Sequence, residues 1–284
     1  MENTKGKRKE RSFNTDLAIE RHRADTALDG VSYRREGAVI GYFERLCVTT
    51  SEGADSIGRP VGLYDTLTLP RLDTLGIGER EDAVECVARE LCRICDKRGI
   101  IPERILVIGL GNPNLTPDAV GPKTVEGVIP TLQYREGGDE VLELFDCSEI
   151  AVLSPLVSSL SGIESVDIVA SVAKKVNPTL VICVDALAAR SPKRLGSTLQ
   201  FCDTGIHQGS GIGKCERGIT EDLLGVPVIA IGVPTVIDAR LLIEGENDTA
   251  TEGMLVSPRE IDEIVTAAAY IISGGINQAF GLAY

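Results

Sequence analysis

The sequence predicts an α/β fold in three layers, a mostly parallel central sheet with helices on both faces, preceded by a β-rich extension. Three observations predict it. Apolar strand-like runs alternate with amphipathic helix-length stretches from about residue 79 onward. The central runs are continuously apolar, as in Ile105-Leu106-Val107-Ile108, which is the pattern of strands buried on both sides. The chain is also 43% hydrophobic over 284 residues, enough to bury such a core.

The first 16 residues carry Lys5, Lys7, Arg8, Lys9 and Arg11 against Glu2, Glu10 and Asp16. This basic, polar leader has too little apolar surface to order itself. Residues 17–78 read as the extension, with strand-like runs at 38–47 and 61–69 broken by glycine-containing turns. Residues 79–284 read as the core, forming one unit with the extension. A helix is expected over 79–96, where Val84, Val87, Leu91 and Ile94 recur at helical spacing. It includes Cys92-Arg93-Ile94-Cys95, which has no second Cys pair nearby and reads as helix rather than as a zinc or redox motif. Strands are expected at 104–110, 140–145, 179–185, 198–202 and 228–233. Val166, Val169, Ala173 and Val176 align along a helix over 165–176. The last helix is expected to open with Ser257 as N-cap, Pro258 in its first turn and Glu260 completing a capping box. Ser273-Gly274-Gly275 is expected to kink or break it.

Composition excludes several functions. With 29 basic and 42 acidic residues the net charge is −13, which argues against a general nucleic-acid binder. No apolar run is long enough to span a bilayer. There is no Trp, and the only histidines are His22 and His207, so mechanisms needing several imidazoles are out. Eight cysteines, mostly inside apolar runs, and a start that does not read as a signal peptide point to reduced thiols in a cytoplasmic setting.

Val107-Ile108-Gly109-Leu110-Gly111-Asn112-Pro113 ends a strand in a glycine turn. A dinucleotide fingerprint would place a third Gly at 114, where this chain has Asn114, and Asp118 just beyond would repel a pyrophosphate. No cofactor is expected. Helix capping alone would account for Asp118. Asp185 closes a very apolar strand, and a charge there costs free energy unless it is paired or used. Sites in open α/β sheets lie beyond the carboxyl ends of strands, where these two carboxylates can converge. Two close carboxylates do not readily both ionise, so one proton is shared. The ionised partner can then take a proton from water while the other serves the carbonyl oxygen or the leaving amine. That is amide hydrolysis with no nucleophilic side chain and no metal.

Four glycines between 205 and 213 predict a shaped loop with exposed amides around His207 and Ser210. It could clamp substrate, stabilise an oxyanion, or ligate through His207 with Asp203. Ser210 sits in G-S-G rather than G-x-S-x-G and no His follows it, against a serine-hydrolase elbow. No H-E-x-x-H occurs, so no zinc protease site is expected.

Taken together, LVIGLGNPNLTPDAVGPK (106–123), SGIESVD (161–167), KKVNPTLVICVDALAAR (174–190), DTGIHQGSGIG (203–213) and GVPVIAIGVPTVIDA (225–239) resemble the germination protease family of spore-forming bacteria. The resemblance extends from about residue 15 to the C-terminus. It implies a fold similar to hydrogenase-maturation proteases and a zymogen that cuts off its own propeptide. The family cuts after an acidic residue and before an apolar one. Thr15-Asp16-Leu17-Ala18-Ile19-Glu20 fits that pattern, which implies scission between Asp16 and Leu17, a propeptide of residues 1–16 and a protease domain of 17–284. Asp118 and Asp185 fall on the family's proposed catalytic pair, an atypical aspartic type with no metal. The implied substrates are small acid-soluble spore proteins in the forespore or spore core. The implied assembly is a homo-oligomer, a tetramer, with no direct nucleic-acid or membrane contact. Lys123 and Arg190 are candidate donors to the acidic residue before the cut.

The chain departs from the family in two places. His207-Gln208-Gly209-Ser210-Gly211-Ile212-Gly213-Lys214 stands where relatives usually read H-P-G-S-G-V-G-N, and residues 240–256 are brief where many relatives carry a long insertion. The main alternative is a metal-dependent maturation-type protease of the same fold, using Asp118, Asp185 and His207. V-I-G-L-G-N-P also resembles peptidyl-tRNA hydrolase, which would need a His shortly downstream and a basic face. A binding module whose aspartates merely cap helices is the non-enzymatic reading.

Overall fold

A computed structural model of the chain describes residues 15–22, 28–136, 147–207, 217–242, 251 and 253–281. Strands β1 (Val31–Gly37), β2 (Tyr42–Val48) and, after helix α1 (Ser51–Ile57), β3 (Gly62–Thr68) form an antiparallel meander. Helix α1 begins where the Thr50 side chain accepts the Gly53 N–H and ends at Gly58 in the left-handed region. There follow α2 (Ile77–Arg98), β4 (Arg104–Gly109), α3 (Val120–Gly127), α4 (Leu132–Glu136), β5 (Glu149–Leu153), α5 (Ser158–Ser161) and α6 (Ser165–Val176). The chain continues through β6 (Leu180–Ala189), β7 (Thr198–Cys202), α7 (Glu221–Leu224), β8 (Val228–Asp238), β9 (Leu255–Val256) and α8 (Ile261–Phe280).

The sheet runs β1-β2-β3-β7-β8-β6-β4-β5, with β9 on β8. Its core strands β5, β4, β6 and β8 are mutually parallel. Strand β7 is antiparallel to both β8 and β3, and so welds the N-terminal meander to the core. Residues of β6 alternate between two buried faces, which is why its sequence is apolar throughout. Ile182 and Val184 meet the layer of α2, α3 and α8. Val181 and Cys183 meet Val166 and Val169 of α6.

Helix α2 is tied to the meander by charge as well as by packing. Arg45 of β2 reaches Glu90 of α2 at 2.8 Å and Asp65 of β3 at 3.3 Å, and Arg93 of α2 also pairs with both acids. Cys92 and Cys95 are both free, and burial pushes the Cys95 thiol up to about 12.

Several expectations change. The strand expected at 140–145 lies outside the described residues, and the strand on the outer side of β4 is β5. Ser257 does not cap α8: the N-cap is Glu260, with no side-chain capping bond, and its carboxylate is held by Arg71 at 3.0 Å instead. Helix α8 also passes unbroken through Ser273-Gly274-Gly275. The glycines serve packing, since a Cβ at Gly275 would lie 2.4 Å from Val87 of α2. No helix among the described residues is long and apolar enough to cross a membrane.

Candidate active site

The site begins where β4 ends. Leu110 N–H donates to Val184 O at 2.8 Å, and the chain then turns at Gly111 with φ +119°. A Cβ at Gly111 would sit 2.0 Å from Asp118 O, and one at Gly121 would sit 2.2 Å from Leu110 O, so only glycine lets this turn fold back on the strand end. The result presses Asp118, the last residue of a 3-10 turn, against the carboxyl end of β4, where its carboxylate accepts Asn112 N–H at 2.8 Å.

Asp185 lies within β6, which runs on to Ala189 rather than closing at 185. Its side chain is 6% exposed and accepts Ala186 N–H at 2.9 Å. Asp118 and Asp185 line one cleft. Burial, and then the neighbouring Asp118 carboxylate, raise the Asp185 carboxyl well above the ordinary range. Burial raises Asp118 too, opposed by the Asn112 amide. The same cleft holds Thr235. It is the extra residue of a bulge in β8, where Leu187 faces Pro234 and Ala188 faces Val236. Its hydroxyl is buried and has no hydrogen-bond partner among the described residues.

Residues Thr15–Glu20 run beside the end of β6, and Asp16 lines this cleft. Asp16 N–H donates to Ala188 O, and Asp16 Oδ2 accepts Ala188 N–H, both at 2.9 Å. Leu17 is fully buried beside Leu187 and Ala189. The Glu20 carboxylate accepts the main-chain N–H groups of Arg190 and Ser191 at 2.6 and 2.7 Å, and the Thr15 hydroxyl donates to it as well. Arg59 donates to Thr15 O at 2.9 Å and stands 4.0 Å from Asp16 Oδ1.

The other candidates from sequence fall differently. His207 lines an adjoining pocket with Arg59 and Tyr64, and burial, then Arg59, hold its pKa below the usual imidazole range. Asp203 is not its partner: that carboxylate takes Leu63 N–H at 2.7 Å and Arg98 at 2.9 Å. Ser210 lies outside the described residues. Lys123, on α3, lines neither pocket, and Arg190 offers its main chain while its side chain is exposed. The cations near Asp16 are Arg59 and Arg21, which also donates to Thr15 O at 3.3 Å; sequence reading missed Arg59 because nothing in Gly58-Arg59-Pro60 distinguishes it from a surface turn. Gln200 was also missed, although a lone amide inside the buried strand Thr198–Cys202 is itself a signal. Among the described residues no group of three or more His, Cys, Asp or Glu side chains is placed to hold a metal.

Comparison with known proteins agrees with the sequence motifs. A profile of the family described as germination protease matches residues 11–251. A germination protease of Clostridium perfringens strain ATCC 13124 is 31% identical, covering 93% of this chain and 94% of its own. Another, from Caldanaerobacter subterraneus subsp. tengcongensis, is 35% identical over 93% of each chain. One from Priestia megaterium is 42% identical over 67% of this chain and 51% of its own. Among solved structures, the NiFe hydrogenase maturation protease HycI from Thermococcus kodakarensis KOD1 aligns with 62% of this chain and 94% of its own, at 19% identity and a TM-score of 0.35. Matched by the family profile and by two relatives along nearly their whole length, the chain belongs to the germination protease family.

Proposed function

We propose that the chain is a self-processing endopeptidase that removes residues 1–16 by cutting between Asp16 and Leu17. It then cuts small acid-soluble spore proteins at similar sites, after an acidic residue and before an apolar one. The observation that carries this reading is that Asp16 lines the same cleft as Asp118 and Asp185. Each neighbour of the cut has a matching seat: an amide and a guanidinium near the Asp16 carboxylate, an apolar pocket for Leu17, and two amides for Glu20.

The electrostatics divide the roles. Asp185, the more deeply buried carboxyl with a second acid beside it, keeps the proton. Asp118, steadied by the Asn112 amide, is the ionised partner. Asp118 takes a proton from water as the water oxygen adds to the Asp16 carbonyl carbon, while Asp185 gives its proton to the carbonyl oxygen. When the diol collapses, the proton on Asp118 passes to the Leu17 nitrogen and the C–N bond breaks. A diol proton then returns to Asp185. One water is consumed, and both carboxyls end as they began.

Intact-mass measurement before and after mild acidification tests the reading. Wild type is expected to lose the mass of residues 1–16. Asp118→Asn and Asp185→Asn should keep the fold by circular dichroism and lose neither the leader nor any substrate bond. Leader loss continuing in both variants would falsify the dyad.

A further inference from the structure

We propose that Gln200 is a catalytic residue that clamps the peptide bond to be cut and stabilises the oxyanion that forms on it. The inference rests on the reading that scission falls between Asp16 and Leu17. Gln200 Nε2 donates to the Asp16 carbonyl oxygen at 3.2 Å, and its Oε1 accepts Ala18 N–H at 2.7 Å. The amide therefore straddles the bond, touching the carbonyl before it and the N–H one residue beyond it. Its orientation is fixed by chemistry: Ala18 N–H is a donor and can meet only the oxygen, which turns the nitrogen to the carbonyl.

Both contacts are to main chain, so they hold any peptide in this register whatever its side chains. Gln200 is 7% exposed on β7 and faces Gly232 of β8, which on its other side faces Asp185 of β6. The amide and the proton-holding carboxyl thus rise from one face of the sheet, with the Leu187 side chain packed over the glycine between them. As the carbonyl carbon becomes tetrahedral, negative charge grows on the oxygen that Nε2 already holds. A donor placed in advance in a buried site acts most strongly at that moment.

The test uses the full chain, its leader removed by wild-type enzyme in trans, and a synthetic peptide of residues 14–21, Asn-Thr-Asp-Leu-Ala-Ile-Glu-Arg. Gln200→Glu keeps the acceptor for the N–H beyond the bond and replaces the donor by an anion. It is expected to lower kcat on the order of 100-fold, with a smaller change in KM. Its activity relative to wild type should recover as pH falls, because a protonated Glu donates again; a merely structural role would give no such recovery. Gln200→Met, apolar and of similar size, should show the loss without the pH-dependent recovery.

If wild type cuts the peptide between Asp and Leu while both folded variants keep kcat, the clamp is overturned and the cleavage reading stands. Loss of fold in both variants would assign Gln200 to the core and overturn the clamp as well. If wild type does not cut between Asp and Leu, the underlying reading fails first, and the clamp with it.

Discussion

Asp185 of β6 and Gln200 of β7 each stand directly opposite Gly232 of β8, so the two side chains share a face of the sheet with only a glycine between them. Two strand spacings separate their backbones by roughly 9–10 Å, and the Leu187 side chain fills the space over the bare position at 232. A Cβ at 232 would lie 2.3 Å from Leu187 Cδ1, and Leu187 packs beside Leu17. Gly232→Ala is expected to push Leu187 into the Leu17 seat. The stability loss should be about 1–3 kcal/mol, with leader removal slowed beyond what that loss explains. Thermal melts and a mass time course check it; a lower Tm with an unchanged rate would show that the placement of Leu187 has no part in cleavage.

Asp185 makes a second prediction, about pH. Its carboxyl is raised by burial first and by Asp118 next. An acid with a higher pKa folded than unfolded binds more protons in the folded state, so folded stability falls as pH rises between the two values. The penalty is absent below the unfolded value, about 4, and is complete above the folded one. Asp185→Asn removes it. The variant is expected to match wild type near pH 4 and to exceed it increasingly toward pH 8 in urea denaturation, while losing cleavage. A stability difference independent of pH would mean that Asp185 is not held protonated by the fold.

Much of the architecture was legible in the sequence because the core strands are buried on both faces and read as unbroken apolar runs. Strand β1 was not, since Ser32, Tyr33, Arg34 and Arg35 lie exposed at the sheet edge and carry no apolar alternation. The start of α8 misled because Ser257 and Glu260 form a local capping pattern, yet the Glu260 carboxylate finds the Arg71 guanidinium, a partner far away in sequence. At the site, Asp118 and Asp185 were visible as acids at strand ends. Arg59, Gln200 and the bulge at Thr235 were not, because pairing across strands distant in sequence decides which cleft each one faces.

Thr235 is the bulged residue, and its hydroxyl is buried in the cleft without a partner among the described residues. An unsatisfied buried hydroxyl costs about 1–3 kcal/mol, a cost that a peptide or water in the cleft would offset. Thr235→Val keeps the shape and deletes the hydroxyl. It is expected to leave stability unchanged or raise it by up to about 1 kcal/mol, and to slow cleavage about tenfold, on the order of one lost hydrogen bond. Full activity in the valine variant would make the hydroxyl a bystander.

The Arg45, Asp65, Glu90 and Arg93 cluster predicts a stability effect away from the chemistry. Arg45 is 9% exposed and bonds Glu90 at 2.8 Å. Arg45→Met would leave two buried acids with only Arg93 between them, a loss of roughly 3 kcal/mol. Adding Glu90→Leu should recover much of it, because the acid left uncompensated is then gone too. Denaturant titrations of the single and double variants measure this, and a double variant no more stable than Arg45→Met would assign the loss to packing by the Arg45 stem.

The last prediction concerns the acid before the cut. Arg59 stands 4.0 Å from Asp16 Oδ1, with the two side chains only 18% and 13% exposed, so their attraction is screened less than on an open surface. Asp16 Oδ2 is separately held by Ala188 N–H, a bond that an Asn side-chain oxygen can also accept. Asp16→Asn therefore removes the charge and spares the amide contact. In wild type it is expected to slow leader removal about fivefold, an ion pair of about 1 kcal/mol. In Arg59→Met the same change should have a smaller effect, because Arg21 is then the cation left near the charge. Measuring the four rates by intact mass at low and at high salt completes the cycle, with the coupling shrinking as salt rises. Equal effects of Asp16→Asn in both backgrounds would remove Arg59 from the recognition of the acidic residue.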